Sequence, residues 1–385
     1  MALAFQPSLL TEKDASRKET SSVEFLSKPC DIAALAERAK PLLADFAATA
    51  GPRFFLASIT PSLWIPRVVV IQRGALIEGI VYTKERKLAG LRTGMLFGHS
   101  TLGTLVVASP GQREAVLEQA LTALLASKRT SGIRLLVPPQ GFEMAVSERV
   151  VQRSKASRRQ IEFSHRTDSD HQVVPLQASY ESFLNTLSYK ARRNMRYYRR
   201  RYEAAGHHYV GRMDLAEFRR IAYRLLDRSV VGGKPEGVTR ALGMFSEADR
   251  PILAGLRRAD GQWVAILGGW YEGDNPVVLF QMNNDRDYSA ESLSAVLRAY
   301  FIEDLIAHGC RQVFFWAGVS GPVARGAQPY PSSTVSLDAG TRRWRALRRL
   351  CMLLAPHLPR RIQWAVDWIA SSSGEPCIPK LPEPA

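Results

Sequence analysis

Seven of the twelve residues from Lys190 to Arg201 are basic and none is acidic. At helical spacing Arg192, Arg196, Arg199 and Arg200 approximate one face, with Tyr197, Tyr198 and Tyr202 interleaved. Like charges four residues apart repel by about 0.3 kcal/mol a pair. An anionic ligand would offset that, whether a phosphorylated small molecule, an acidic glycan or RNA. A solvated face whose tyrosines pack on a sheet gives the same letters. No recognised nucleic-acid-binding signature accompanies the charge, so nucleic acid is the least expected partner. A second acid-free run, 342–361 (RRWRALRRLCMLLAPHLPRR), sets Trp344, Leu347, Leu350, Cys351 and Leu354 opposite arginines. Such a helix lies on an anionic membrane surface or docks on its own domain. His207-His208 opens a short strand with no third ligand in reach by sequence, so no metal is expected. Gly318-Val319-Ser320-Gly321 reads as a turn rather than a phosphate cradle.

The elements that must position these residues fall into two halves, because 385 residues exceed what one core usually fills. A net charge of +16 predicts attraction to something anionic. Four cysteines (Cys30, Cys310, Cys351, Cys377) without CxxC spacing fit a reducing compartment. The opening MALAFQPSLLTEKDASRKE lacks a long apolar run, and no window approaches 18 apolar residues, so a cytoplasmic protein is expected. In the first half a helix is predicted over 31–48, with Pro41 able to break it. Strands follow over 53–58, 67–73 and 75–83, an extended stretch over 102–108, a helix over 112–127 and a strand over 132–138. In the second half the pattern predicts a helical stretch over 179–205, a strand over 207–213 and helices over 214–228 and 238–248. A meander follows (251–259, 262–272, 276–283), with Asp260-Gly261 and Gly273-Asp274-Asn275 at its turns. A helix over 289–308 stops at Gly309, and the strand 312–318 comes next. The first half carries a looser version of the same order, which reads as a degenerate internal duplication.

That order, with LSYKARRNMRYYRRRYEAAG (187–206) and YSAESLSAVLRAYFIEDLIAHG (288–309), resembles the double-GNAT acyltransferases related to CelD-like polysaccharide-biosynthesis proteins. Fem-type peptidyltransferases are more distant relatives. The stretch K-x-R-R-N-x-R is matched by Lys190, Arg192, Arg193, Asn194 and Arg196. The resemblance implies an α/β fold of two GNAT-like domains, each a mixed, mainly antiparallel sheet flanked by helices. The corresponding division is a disordered 1–25, a first domain over 26–150, a connector over 151–172 and an acyltransferase domain over 173–340. A basic helical segment over 341–370 and a disordered tail over 371–385 complete it.

The resemblance also implies a coenzyme A pyrophosphate on the amides that open the helix after the meander, where an anion meets unpaired donors and a partial positive charge. Those positions are Arg286, Ser289, Ala290, Glu291 and Ser292, with Lys190, Arg192, Arg193 and Arg196 as further anion-binding residues. Plain capping by Ser289 or Asp287 accounts for the same letters. Acyl transfer needs a base and carbonyl-polarising donors. Glu272 or Asp274, or the stretch Gln281 to Asn284 through water, would supply the base, and amides near Met282 and Asn283 the polarisation. Tyr288 or Tyr330 would reprotonate the thiolate. Glu272, Asn283 and Tyr288 are the catalytic positions carried forward. The expected reaction moves an acyl group from acyl-CoA, a co-substrate rather than a tightly bound cofactor, to an amine or hydroxyl on a sugar or cell-envelope precursor. Two alternatives stay open. Ala290-Glu291 stands where relatives often have Pro-Gly, and Phe314-Phe315-Trp316 where they tend to have an acid, which fits a binding component without turnover. Alternatively the donor is an aminoacyl-tRNA, as in Fem-like relatives. The run 342–361 would give peripheral contact with the inner face of the membrane.

Overall fold

The computed structural model describes residues 21–339, except 89, 100–103, 157–160, 169, 170, 230–233 and 317, together with Ala346, Arg349, Leu350 and Leu353. The predicted tail 371–385 and nearly all of the basic segment 341–370 lie outside the described residues.

In chain order the first half runs β1 (Ser21–Leu26), α1 (Pro29–Arg38), α2 (Lys40–Leu43), α3 (Pro52–Ala57), β2 (Trp64–Arg73), β3 (Leu76–Leu88) and β4 (Leu91–His99). It continues with β5 (Val106–Ala108), α4 (Arg113–Ala126), β6 (Gly132–Val137), α5 (Phe142–Ala156) and β7 (Glu162–Asp168). The second half runs β8 (Gln172–Pro175), α6 (Tyr180–Thr186), α7 (Tyr189–Ala204), β9 (His208–Val210), α8 (Leu215–Leu225), α9 (Pro235–Glu247), β10 (Pro251–Arg257) and β11 (Trp263–Glu272). Then come β12 (Asn275–Asn283), α10 (Asp285–Tyr288), α11 (Leu293–Ala307), β13 (Gln312–Phe315), β14 (Gln328–Pro329) and β15 (Ser332–Asp338).

Two mixed, mainly antiparallel sheets result. One has the order β1-β2-β3-β4-β6-β15-β7 with β5 on β3, the other β14-β8-β13-β12-β11-β10-β9. The duplication holds at the level of topology. Meander β2-β3-β4, helix α4 and strand β6 parallel to β4 match meander β10-β11-β12, helix α11 and strand β13 parallel to β12.

Several expectations change. Residues 21–25, placed in a disordered terminus, form β1 against β2. The predicted strand 53–58 is helix α3: extended Gly51 caps it, Pro52 sits where its missing N–H costs nothing, and Phe54 turns its ring onto Trp270 at 5.3 Å. β4 was unread because glycines dilute its alternation. The polar stretch read as a connector holds the end of α5, anchored by buried Val146, Val150 and Val151, and all of β7. The helix over 179–205 is two helices, parted where Ser188 caps α7. Residues 332–338, expected in the domain over 173–340 and not read as a strand, form β15 in the first sheet between β6 and β7. Position in the chain gives no hint of this, because the pairing is long-range.

The meander strand β11 carries the glycine pair that shapes the second sheet. Its register against β12 slips between Gly268 and Gly269, and a Cβ on Gly269 would lie 1.9 Å from the Val277 carbonyl oxygen. Gly269→Ala is therefore expected to cost on the order of 3 kcal/mol by forcing the two strands apart. An unchanged denaturation midpoint would show that the bulge has room to spare.

Candidate active site

β12 and β13 register at only two positions, Val277 with Phe314 and Val278 with Phe315. One further bond, from the Trp316 N–H to the Val278 carbonyl at 2.9 Å, closes the contact before the strands part. The corresponding parallel pair of the first sheet stays registered over five positions, from Met95–Gly132 to His99–Leu136. The opening begins at the bulge. Gly268 pairs with Phe280 and Gly269 with Val278, so Leu279 has no register partner on either neighbour. A wedge with an unregistered strand residue at its apex is a place where a substrate carbonyl can meet backbone groups.

On one face of the wedge lies α11. Its first residues follow Ser292, the one non-glycine residue with positive φ (49°) among those described. Holding a serine there costs about 1 kcal/mol, and it turns the chain sharply into the helix. The Ala295 and Val296 N–H groups return to the Ser292 carbonyl, whereas those of Leu293 and Ser294 have no partner among the described residues. One turn on, Arg298 is buried, only 8% exposed. Its Nε donates to Gln281 Oε1 at 2.8 Å, its Nη1 donates to the Ser320 carbonyl, and its guanidinium lies 5.7 Å from the Phe315 ring centre. Gln281 in turn donates to Ser294 Oγ and Asn283 Oδ1. The arginine thus ties β12 to the loop after β13 across the wedge. Burial without a carboxylate pushes its pKa down to about 10, and it stays charged at neutral pH.

The positions expected from the sequence spread over four places. Asn283 and Ser292 border the wedge. Arg286 gives its N–H to the Arg228 carbonyl, and Asn284 caps the short turn by accepting from the Asp287 N–H. The Asn284 side-chain amide also donates to Asp287 Oδ2 at 3.0 Å, and that bond together with paired Arg228 holds the Asp287 carboxyl below its usual range. Ser289, Ala290 and Glu291 form a 3-10 turn, and Glu291 is bound by Arg258 at 2.9 Å, so its charge is answered by the protein itself. The Tyr288 hydroxyl donates to Gln262 under the Arg258 guanidinium. Glu272 sits at the far end of β11, accepting from Thr49 Oγ1 and Trp270 Nε1, each at 3.2 Å, and burial pushes its pKa up. Lys190, Arg192, Arg193 and Arg196 lie along the outer side of α7, where Arg192, Arg193, Arg196, Arg200 and Arg201 share a shallow groove with Tyr189 and Tyr197. Arg199, expected on that side, turns inward to Glu203 and Glu303. His207 accepts from the Ala259 N–H, and no metal-ligand cluster occurs among the described residues.

On the opposite face of the wedge the two halves of the chain enclose a cavity of about 100 Å³. Leu279 and Trp316 line it from the second half, at the point where the strands part, and Arg240 reaches in from α9. The first half supplies Thr49, Phe54, Tyr82, Lys84 and His99 among others. His99 stacks on Trp316 at 4.9 Å, and burial with cationic neighbours pushes its pKa down to about 3, so it is neutral. Burial, then repulsion by Arg240 and Arg86, pushes the Lys84 ammonium down to about 8. Sequence reading missed Lys84, Arg240 and Arg298, although two had a signal. Lys84 shares strand parity with buried Ile80 and Tyr82, and Arg298 is the lone charge in the apolar run 293–302.

No family model matches the sequence, and no curated protein matches it. Solved structures do. L-PGS from Bacillus licheniformis superposes with a TM-score of 0.52 at 12% identity, over 84% of this chain and 96% of that one. FemX gives 0.51 at 10% identity, over 85% and 99%. A conserved protein of unknown function from Bacteroides thetaiotaomicron gives 0.51 at 13%, over 82% and 100%. At such identities the likeness is one of fold, and it spans both halves. With the repeated meander, crossover helix and parallel strand, this decides the architecture. The chain has a tandem GNAT fold. Within it only the second GNAT-like unit opens its parallel pair, and among the described residues no helix is long and apolar enough to cross a membrane.

Proposed function

We propose that the protein is an acyltransferase working at the wedge between β12 and β13, with acyl-CoA as donor and an amine or hydroxyl as acceptor. The observation that carries this reading is the two-position register of β12 and β13 beside the five-position register of β4 and β6. An unzipped pair leaves backbone groups and hydrophobic core unpaired, and a fold keeps such an opening where a ligand fills it. The donor's phosphates meet the free amides of Leu293 and Ser294, and its thioester carbonyl lies near Leu279 within reach of the Arg298 charge. The acceptor enters from the other face, through the cavity between the halves. Thr49 lines that cavity and donates to Glu272, so Glu272, poised by burial, takes up the acceptor's proton through the Thr49 hydroxyl. The new C–N or C–O bond forms as the C–S bond breaks, and the thiolate leaves with a proton. Tyr288 is held by Gln262, so Tyr330, packed on Phe314 at 4.2 Å, is the better proton donor. A sugar or cell-envelope precursor is the acceptor class that the CelD-like resemblance favours.

A second reading keeps the wedge and replaces the thioester by an aminoacyl ester of tRNA. The exposed basic groove on α7 favours it, because Lys190, Arg193 and Arg201 have no acidic partner among the described residues. Calorimetry separates the two. Acetyl-CoA or a longer acyl-CoA should bind saturably, with affinity weakly dependent on salt. Steep salt dependence with tRNA, lost on replacing Arg192, Arg193 and Arg196, would move the assignment to the second reading. Saturable binding of neither would overturn both.

A further inference from the structure

The cavity between the halves is built for negative charge that the protein does not supply. Of the described side chains lining it, Lys84 and Arg240 are cationic and none is acidic. Lys84 comes from β3 and Arg240 from α9, so the two charges converge from different sheets. The described contact of the Lys84 ammonium is the face of Trp64 at 4.7 Å, and the Arg86 guanidinium lies over the same ring at 4.7 Å. Two buried donors beside them, the Tyr82 hydroxyl and Arg240 Nε, have no hydrogen-bond partner among the described residues. Unpaired charges and orphan donors are costly in an interior, and a folded chain rarely concentrates them without a ligand. Acids near these residues have partners of their own: Glu236, one turn before Arg240 on α9, accepts from the Ser62 hydroxyl. Glu85, on the other side of β3, is held by Arg67 and Arg92, and Glu272 by Thr49 and Trp270.

We propose that this cavity is a binding site for a single oxyanion group, a carboxylate or a phosphate ester, held between Lys84 and Arg240 with Tyr82 donating to it. Its size, about 100 Å³ or the share of roughly three waters, limits the ligand to one such group carrying a small body. The aromatic walls, Phe54, Phe97 and Trp316, suit an apolar or planar body attached to the anion. Leu279 and Trp316 also bound the wedge, so the bound group stands behind the acyl-transfer centre. Only in calling the anion part of the acceptor does the inference rest on the proposed function; the site itself does not depend on turnover.

The test uses the full chain, with inorganic phosphate and benzoate as probes and the unfolding midpoint and calorimetry as readouts. One of the two should raise the midpoint saturably, and which one does separates phosphate ester from carboxylate. Lys84→Met and Arg240→Met should each weaken that binding at least tenfold. Without anion, their midpoints should equal or exceed that of the unsubstituted chain, because an uncompensated buried charge has been removed. Tyr82→Phe should weaken binding several-fold, whereas Arg219→Gln, on the exposed side of α8, should leave it unchanged and so exclude a general effect of the +16 charge. No saturable shift with either probe would overturn the inference. So would unchanged affinity in both methionine variants, or a fall of both anion-free midpoints. Acyl-CoA binding without anion binding would sink this site alone. Anion binding without any donor binding would leave the site standing while the transferase reading fell.

Discussion

A chain cut after Pro331 should lose the first GNAT-like unit, although the cut lies some 160 residues beyond the unit's own last strand, β7. β15 is the strand that joins β6 to β7, registering with β6 from Ser333 to Asp338 and with β7 from Ser332 to Asp338. Removing it opens two edges in the sheet's interior and withdraws Val335 and Leu337, both fully buried in the core under α4 and α5. Burial of those two side chains alone is worth about 4 kcal/mol. Lost ladder bonds and exposed edges add to that, and a domain's whole stability is about 5–15 kcal/mol. The truncated protein should therefore unfold in two steps or aggregate, and residues 21–172 expressed alone should be insoluble. Supplying the excised strand in trans, fused to a carrier, should restore solubility. A soluble 21–172 fragment with native-like unfolding would refute the interlock.

This interlock marks the boundary of what the letters could tell. The meander of the second half was legible because its turns carry Asp-Gly and Gly-Asp-Asn and its strands, of seven, ten and nine residues, are mostly apolar. α11 was legible because Gly309 (φ 76°) ends it. α3 was misread because Phe-Phe-Leu favours a strand in isolation, whereas its packing against Trp270 and α9 decides the matter. β15 was not read as a strand, and its residues fell in the domain over 173–340, because nothing within seven residues encodes a partner about two hundred residues away. The site divides in the same way. A turn and a helix start near Ser292 are local signals, so the start of α11 was anticipated. The cavity arises from Lys84 and Arg240, residues 156 positions apart that look like ordinary surface charges until the two sheets meet. Charge density on a helix drew the eye to α7, yet charge without a partner in a closed space is the stronger statement about ligands.

Arg298 is where the largest functional effect is expected. Arg298→Met removes the charge beside the apex of the wedge and cuts the link from Gln281 to the Ser320 carbonyl. Two stability effects oppose each other: acceptors left unsatisfied cost about 1–3 kcal/mol, while a desolvated charge without an acid disappears. The fold should therefore survive with a modest change in midpoint. The rate should not. If the guanidinium stabilises charge developing on the transferred carbonyl, its loss should lower kcat by about a hundredfold or more with little change in the KM of the donor. Arg298→Lys, which keeps the charge but not the fork that spans Gln281 and Ser320, should recover part of that loss. Gln281→Leu leaves the charge in place and releases it from β12. It should cost less than Arg298→Met, and combining the two should cost hardly more than Arg298→Met alone, because both act through one group. A KM effect with unchanged kcat would mean that Arg298 merely holds the donor. Full activity in Arg298→Met would mean that the arginine is only a strut between two strands, and that the reacting carbonyl lies elsewhere.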